Sequence, residues 1–457
     1  MKKIFIDGSA GTTGLRIAER LGKRQDLELL RIPEALRKNP GARREFMNRA
    51  DVVFLCLPDD AVPEAVSMLE NPNTAVIDTS TVHRTAADWV YGFPELHGQR
   101  NNLKAAKRIA NPGCHASGFI ALIAPLVQAG VLAKDAKLSC FSITGYTEPC
   151  VRLAKMLCER TGMAKVFFSN SGAESNECAI KAARKYAAEH KGPDCQTIVT
   201  LKNSFHGRTL TTLAATGQEH YHELFQPLTP GFVHAAAEDL RELKLLSQSH
   251  PLAAIMIECI PGEGGVVPLS RRYVADLAEF ANKNDILLIV DEVQTGNGRT
   301  GSLYAYQNYG ISPDIVSTAK GLAGGLPLGA TLLSEKVQNV LGYGDHGSTF
   351  GGNPVCCAAA CSILSRIDDP LLADVKQKGA YLFETFTDAP GVESVSGMGL
   401  MIGIKTKKPA GDVVNACLDR GVLCLSAKDK VRLLPALNIP METLKKAAQI
   451  IRFVCAE

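Results

Sequence analysis

The sequence contains no apolar run approaching the roughly 20 residues needed to cross a bilayer, so it does not predict a membrane protein. It also lacks a strong charge of one sign, because 50 basic and 47 acidic side chains leave a formal net charge of +3. Such a balance argues against a nucleic-acid or membrane-surface protein. No CxxC pair recurs at the spacing of a zinc site, so no metal site is predicted.

The 14 cysteines do not form a disulfide framework. They are scattered through apolar segments, as at Cys178, Cys356, Cys357 and Cys361. This distribution predicts a reduced, cytoplasmic enzyme. The start, MKKIFIDGSAG, has too short an apolar stretch for a secretory signal and instead predicts a first β-strand. A length of 457 residues predicts two or three domains at about 150 residues each.

The first 146 residues alternate strand-like and helix-like segments, which predicts a parallel sheet with crossover helices. Gly8, Gly11 and Gly14 lie between the first strand and the first helix, where glycines let backbone N–H groups approach a phosphate. Their spacing is not GxGxxG, so a plain tight turn is the alternative. The second strand ends at the basic residue Arg31, which favours the extra phosphate of NADP over NAD.

Cys114 follows the turn Asn111-Pro112-Gly113 and precedes a helix-like apolar segment. A helix N-terminus lowers the pKa of a thiol and so favours its reactive thiolate form. The position predicts a nucleophile toward an acyl group, with a buried small residue as the alternative.

The segments GSAGTTG, LCLPDDA, VIDTSTVHRT, WVYGFPEL and NPGCHASGFIAL resemble the shorter type of N-acetyl-γ-glutamyl-phosphate reductase. The resemblance implies that Cys114 attacks the acyl phosphate and that NADPH reduces the resulting thioester to a semialdehyde. It extends only to about Tyr146. The part of the family that supplies a histidine base, dimerises and completes catalysis is missing, so the N-terminal unit is expected to be a truncated reductase.

Beyond about Thr147 the chemistry-bearing residues change. Small residues around Ser171 precede a helix and predict an anion cradle, although they also suit a helix cap. Asp291 ends the apolar strand ILLIV, Lys320 follows a second short strand, and Phe205 supplies an aromatic ring. Pyridoxal phosphate needs a Schiff-base lysine, a carboxylate against its ring nitrogen, a phosphate cradle and a stacking partner. The set therefore predicts a pyridoxal-phosphate enzyme.

The motifs SNSGAESNECAIKAARKY, FHGRT, MIECIPGEGG, VDEVQTGNGRTG, STAKGLAGGLPLGA and STFGGNP resemble the class III aminotransferases, and most closely acetylornithine aminotransferase. The resemblance implies that Lys320 forms the Schiff base and shuttles the α-proton, while Asp291 pairs with the ring nitrogen. The other cofactor contacts that it implies are Gln294 beside Asp291, Phe205 on the ring, Ser171, Gly172 and Ala173 at the phosphate, and Thr349 from a partner subunit.

The resemblance also implies the substrate contacts. Arg208 and Ser348 would contact acetylornithine, and Arg432 would clamp an α-carboxylate, for which a planar guanidinium is suited. Glu263 would mask Arg432 while the distal amino group reacts. The implied partners are acetylornithine and 2-oxoglutarate, and the implied assembly is a homodimer.

The sequence thus predicts an α/β protein with two fused parts. A Rossmann-type NADP-binding domain over residues 1–146 precedes a fold type I transferase, with a large α/β domain over 147–350 and a small α+β domain over 351–457. The family's own N-terminal segment is missing ahead of the transferase part. Three functions stay open: an acetylornithine aminotransferase with a partial reductase attached, a reductase or bifunctional enzyme, and a non-catalytic fusion that at most binds nucleotide.

Overall fold

The computed structural model describes residues 1–9, 12–133, 135–136, 138 and 148–457. The chain divides into two compact units, Met1–Thr144 and Gly145–Glu457. Within the described ranges, no helix has both the length and the apolar character that a membrane crossing requires. None of the cysteines whose side chains are described is in a disulfide.

The first unit alternates short strands and helices. Their bounds are β1 Lys2–Asp7, α1 Thr12–Gly22, β2 Leu27–Leu30, α2 Pro40–Arg49, β3 Val52–Leu55, α3 Val62–Ser67, β4 Ala75–Asp78, β5 Val90–Tyr91, α4 Gln99–Ala105, β6 Arg108–Ala110 and α5 Cys114–Gln128. The strands form one sheet in the order β2-β1-β3-β4-β6-β5. Every pairing in it is parallel, as the alternation of strands and helices predicts.

The second unit begins with a larger α/β layer. Its elements are α6 Glu148–Thr161, β7 Lys165–Ser169, α7 Gly172–Lys191, β8 Thr197–Leu201, α8 Leu210–Ala215, β9 Phe232–Ala235, α9 Leu240–Ser249, β10 Leu252–Ile257, α10 Arg271–Lys283, β11 Leu287–Asp291, α11 Ala305–Tyr309, β12 Ile315–Thr318, β13 Gly329–Leu333 and α12 Pro354–Leu364. The seven strands form one sheet in the order β7-β13-β12-β11-β10-β8-β9.

The centre of this seven-stranded sheet is parallel, whereas β13 runs antiparallel to both β12 and β7. All residues of β10, β11 and β12 are buried, because the central strands are covered on both faces. The carboxyl ends of β10, β11 and β12 lie at one edge of the sheet. In open α/β sheets, ligands bind at this edge.

The C-terminal part is a smaller sheet packed with helices. Its elements are α13 Asp369–Phe386, β14 Val392–Met398, β15 Met401–Thr406, α14 Ala410–Asp419, β16 Leu425–Ala427, β17 Lys430–Leu433 and α15 Met441–Ala456. The strands form an antiparallel sheet in the order β14-β15-β17-β16. Apolar residues of α13, α14 and α15 join those of β15 and β17 in one core.

Candidate active site

Asp291, the last residue of β11, is the buried carboxylate of the site, with 3% of its surface exposed. Its Oδ2 accepts a hydrogen bond from Asn176 Nδ2 at 2.8 Å and lies 2.8 Å from His206 Nδ1. Its Oδ1 accepts from the backbone N–H of Val293 at 3.0 Å. A buried carboxylate is stable only when such donors surround it, and these three also fix its orientation.

A second buried carboxylate, Glu258, lies just beyond the end of β10. It accepts hydrogen bonds from the backbone N–H of Phe205 at 2.9 Å and of Gly262 at 3.3 Å. Burial raises the pKa of Glu258, and the negative charge of Asp291 raises it further. Through its two backbone hydrogen bonds, Glu258 connects the loop that carries Phe205 and His206 to the loop that follows β10.

Lys320 lies two residues after the end of β12, and β12 is the neighbour of β11, which ends at Asp291. Asp291 pairs in register with Ser317, which lies three residues before Lys320. The φ angle of Lys320 is 48°, in the left-handed region that residues other than glycine rarely adopt. Asn297 Nδ2 donates to Thr318 Oγ1 at 3.2 Å and to the carbonyl of Ala319 at 3.0 Å, and so holds the backbone that precedes the lysine. Strained residues of this kind concentrate at functional sites.

The exposed side chain of Lys320 lines a cavity of about 720 Å³, which Gln294 also lines. Arg299 and Arg366 add two guanidinium groups to its wall. No acidic side chain lines this cavity in the part of the chain that the structure describes. The surplus of positive charge suits a substrate that carries carboxylates.

The residues predicted to hold a phosphate lie at the N-terminus of α7. Ser171 caps the helix by accepting a hydrogen bond from the backbone N–H of Glu174 at 3.2 Å. Gly172 and Ala173 begin the helix, where backbone N–H groups have no partner within the helix. A Cβ at Gly172 would lie 2.6 Å from Val293 Cγ1, so the glycine lets the helix start come close to the segment after Asp291.

Phe205 is half-buried, and its ring lies 5.7 Å from that of Tyr221 in an edge-on arrangement. The guanidinium of Arg208 lies 5.5 Å from the Phe205 ring centroid and 4.8 Å from that of Tyr221. Arg208 is exposed, so its charge stays accessible while its guanidinium rests on aromatic faces.

Arg432, on β17, forms an ion pair with Glu263 in which the Nη1–Oε1 distance is 2.7 Å. The same Nη1 donates to Gln294 Oε1 at 3.1 Å. Arg432 is buried, and its Nε has no hydrogen-bond partner among the described residues. The structure thus brings together three residues that the sequence predicts for the site, although they lie far apart in the chain.

Ser348 and Thr349 line a different cavity of about 560 Å³, which Asn170 and Glu174 also line. Asn170 Nδ2 donates to Ser348 Oγ at 3.0 Å. Ser348 and Thr349 therefore line a cavity separate from the one that Gln294 and Lys320 line. The contact of Thr349 with a partner's cofactor stays a prediction.

In the N-terminal unit, Gly8 has a φ of 87°, and a Cβ there would overlap the carbonyl of Cys56. Gly14 packs against the backbone of Gly8 and Ser9, so the turn after β1 has no room for side chains at either glycine. The predicted second strand ends one residue earlier than expected, at Leu30, and Arg31 is exposed just beyond it.

Gly11 lies outside the described residues, and Cys114 begins α5 but its side chain lies outside them. Asp7, at the end of β1, pairs with Arg43 across 2.8 Å and is 5% exposed. This ion pair anchors the strand end from which the glycine turn departs.

Sequence reasoning missed four polar residues that support the site: Asn176, His206, Glu258 and Asn297. His206 directly follows Phe205, and Glu258 directly follows an apolar strand. Their positions in the sequence could therefore have indicated both residues. Asn176 lies one helical turn after Gly172, a spacing that places the two residues on one face of the helix. Asn297 gives no comparable signal, because its role depends on the fold of the loop after β11.

These residues fit pyridoxal phosphate. The donor set includes an amine on Lys320, a buried carboxylate on Asp291 held by two polar side chains, and a helix start that can bind phosphate. His206 Nε2 is buried and has no hydrogen-bond partner in the described part of the chain, which marks a polar position beneath the site. Each group that the cofactor needs is therefore present on this chain.

Comparison with known protein families gives two matches. Residues 123–454 match the family Aminotransferase class-III, and residues 19–106 match the family Semialdehyde dehydrogenase, NAD binding domain. The class-III match begins at residue 123, ahead of the resemblance that the motifs predict from about Tyr146. These matches confirm the prediction of a Rossmann-type nucleotide-binding part followed by a class III aminotransferase part.

The chain is similar to curated aminotransferases over most of their length. It is 49% identical over 329 residues to the acetylornithine aminotransferase of Haemophilus ducreyi, covering 72% of this chain and 84% of that protein. It is 43% identical over 303 residues to the acetylornithine aminotransferase of Methanocaldococcus jannaschii, covering 65% of this chain and 76% of that protein.

Solved structures agree with these sequence matches. The ornithine aminotransferase of Toxoplasma gondii ME49 superposes with a TM-score of 0.64 at 31% identity, over 75% of this chain and 82% of that one. The N-acetylornithine aminotransferase of Stenotrophomonas maltophilia K279a gives a TM-score of 0.59 at 32% identity, over 74% and 85% of the two chains.

Proposed function

Because the chain belongs to the class-III aminotransferases, we propose that it transfers the distal amino group of N2-acetylornithine to 2-oxoglutarate. The products would be N-acetylglutamate 5-semialdehyde and glutamate. The chain is a pyridoxal-phosphate-dependent aminotransferase. The curated relatives described above are named as acetylornithine aminotransferases. The proposal extends that substrate to this chain.

When bound, pyridoxal phosphate supplies an electron sink for the bond that breaks at the substrate carbon. Lys320 would hold the cofactor covalently, then take the proton from the substrate carbon on Nζ and return it. Asp291 would keep a proton on the ring nitrogen, and Asn176 and His206 would orient its carboxylate. Ser171, Gly172 and Ala173 would hold the phosphate, and Phe205 would lie against the ring.

The two substrates need different carboxylate contacts at one site. Acetylornithine presents its distal amino group, so its carboxylate lies away from the reacting atoms and would contact Arg208. Ser348 lines the same cavity as Thr349 and would contact acetylornithine in the site of the partner subunit. 2-Oxoglutarate presents the carbonyl beside its α-carboxylate, which would bind Arg432. Glu263 would pair with Arg432 during the first half-reaction and leave it during the second, as the present ion pair supports.

The observation that carries the proposal is the placement of Lys320 and Asp291 at the ends of two adjacent strands, with Lys320 opening into a cavity free of described acidic side chains. The test is an assay of the purified full chain with added pyridoxal phosphate, acetylornithine and 2-oxoglutarate, with Lys320→Ala as the control. We expect glutamate formation that the control lacks. A wild-type chain that binds the cofactor but forms no glutamate would contradict the proposal.

The N-terminal unit has a separate proposed role, because its match is to a NAD-binding domain. We propose that Gly8, Gly11 and Gly14 bind NADP(H), with Arg31 near the extra phosphate. Completion of the reductase reaction through Cys114 is not part of the proposal, since the matched family is that of the nucleotide-binding domain alone. NADPH-dependent semialdehyde formation by the purified chain, lost in Cys114→Ser, would instead support the bifunctional alternative.

The proposed organisation has a nucleotide-binding domain over residues 1–146, a large domain over 147–350 and a small domain over 351–457. We propose a homodimer, because Thr349 lines a cavity apart from the one that Lys320 lines and would serve the site of a partner. The free thiols of the described cysteines agree with action in the cytoplasm.

A further inference from the structure

We propose that Gln294 is a positioning residue for Arg432, and that it keeps the guanidinium aimed at an incoming carboxylate after Glu263 has left. The proposal rests on the proposed function, in which Arg432 serves one of two substrates. The three side chains of Arg432, Glu263 and Gln294 are called the guanidinium lock below. Gln294 is a cofactor contact in the resemblance, so its place in this lock is an additional role.

The geometry puts the Gln294 amide between the two charged groups. Its Oε1 accepts from Arg432 Nη1 at 3.1 Å, and its Nε2 lies 3.5 Å from Glu263 Oε1. The amide oxygen thus faces a donor and the amide nitrogen faces an acceptor, so its orientation matches both partners. Gln294 also lines the cavity that Lys320 lines, so it connects the lock to the reacting centre.

Exposure shows which partner can leave. The side chain of Arg432 is 7% exposed, whereas that of Glu263 is 31% exposed. Glu263 can therefore rotate toward solvent, but a buried guanidinium left without an acceptor would be strongly destabilised. Gln294 meets this need because it is neutral: it occupies one donor of Arg432 without cancelling the positive charge that attracts a substrate carboxylate.

The donors of Arg432 also suit this role. In the described structure, Nη1 serves both Glu263 and Gln294, while Nε is buried without a partner. A carboxylate that replaces Glu263 could then engage the guanidinium at two donors, which is the strong geometry for this pair. Gln294 would hold the plane of the guanidinium during the exchange.

The close packing of the Gln294 amide explains why position 262, directly before Glu263, is a glycine. A Cβ on Gly262 would overlap the amide oxygen of Gln294, so the amide packs directly on the glycine. The backbone N–H of Gly262 donates to the buried Glu258 at 3.3 Å, which fixes this surface. Gly262→Ala should therefore displace the Gln294 amide without removing it.

The test measures binding of glutarate, an unreactive dicarboxylate of the same chain length as 2-oxoglutarate, to the cofactor-loaded full chain by calorimetry. We expect Gln294→Ala to weaken binding about tenfold, as for loss of one hydrogen bond to a charged group. Gln294→Glu should weaken it about a hundredfold, because a second carboxylate would mask Arg432 permanently. Glu263→Gln should strengthen binding, since it removes the mask.

The double variant Glu263→Gln with Gln294→Glu is the matched control, because it moves one carboxylate between the two positions and leaves the net charge unchanged. We expect it to bind glutarate more tightly than Gln294→Glu alone. In kinetics, the KM for 2-oxoglutarate should rise by a larger factor in Gln294→Glu than in Gln294→Ala. A purely structural role would instead lower both glutarate binding and the melting temperature in Gln294→Ala, Gln294→Glu and Glu263→Gln.

Wild-type affinity for glutarate in both Gln294→Ala and Gln294→Glu would overturn the proposal, and so would a wild-type chain that does not bind glutarate. The proposed function fails on a different result, namely the absence of transamination between acetylornithine and 2-oxoglutarate. A chain that binds glutarate in the expected order but does not transaminate would uphold the guanidinium lock and refute the substrate assignment.

Discussion

Replacement of Asp291 by Asn changes the charge of the buried carboxylate while leaving its shape almost unchanged. In the structure, Oδ2 meets Asn176 Nδ2 and His206 Nδ1, each at 2.8 Å, and Oδ1 meets the Val293 N–H at 3.0 Å. An amide offers only one acceptor, so one orientation sets its NH2 against Asn176 and the other sets it against Val293. Either orientation leaves a buried donor unpaired.

An unpaired buried donor costs about 1–3 kcal/mol, so we expect the free energy of unfolding of Asp291→Asn to fall by about that amount. The larger effect should be on rate. Without the carboxylate, the protein no longer stabilises a proton on the ring nitrogen. Loss of one preorganised electrostatic contact of this kind lowers kcat by about 10²–10³-fold.

The assay is the first half-reaction, followed by stopped-flow absorbance as acetylornithine is mixed with the cofactor-loaded chain. Asn176→Ala is the control, because it removes a donor to Asp291 and keeps the carboxylate. We expect it to lose much less rate than Asp291→Asn. A turnover of Asp291→Asn close to that of the wild type would refute the role of Asp291, and equal losses in both variants would assign the effect to packing.

Three further predictions follow from other parts of the chain. Burial raises the pKa of Glu292 from 4.5 to about 7, so the folded state holds a proton that the unfolded chain releases. Stability should therefore fall as the pH rises from about 4.5 to about 7, and melting temperatures of Glu292→Gln measured over that range should show a smaller slope. Leu157→Ala should lower the free energy of unfolding by about 2–5 kcal/mol, because Leu157 is fully buried. Val151 is half exposed on the same helix, so Val151→Ala should change the free energy of unfolding by less than about 1 kcal/mol. Equal effects of the two variants in denaturant titrations would contradict the packing described for α6. Arg31→Asp should remove the expected preference of the chain for NADPH over NADH in fluorescence titrations, and an unchanged ratio would argue against a phosphate contact at Arg31.

Much of the fold was predictable because its signals are local. The alternation of apolar strands with helices predicts the parallel sheet of the first unit, and the apolar run before Asp291 predicts a buried strand with a carboxylate at its end. The strand pairing then explains why Lys320 lies near Asp291, because adjacent parallel strands end at the same edge of the sheet. Residues that directly follow apolar strands, such as Asp291, could therefore be predicted from the sequence.

The remaining features depend on contacts between distant segments. Nothing near Gln294 in the sequence indicates that its amide packs on Gly262 and reaches Arg432, because that contact joins two loops of the large layer to a strand of the smaller sheet. The position of Asn176 beside Asp291 likewise requires the helix to dock on the strand. The end of the second strand also shifted by one residue, since strand bounds depend on pairing with neighbours.

The central claim is that Lys320 carries the cofactor. It is tested most directly by reducing the cofactor-loaded full chain with borohydride, digesting it and mapping the modified peptide by mass spectrometry. We predict a pyridoxyl group on Lys320, and much less of it when acetylornithine is added before the reductant, because the substrate would then have displaced the lysine. A pyridoxyl group on a different lysine, or labelling of Lys320 that acetylornithine does not reduce, would contradict the account.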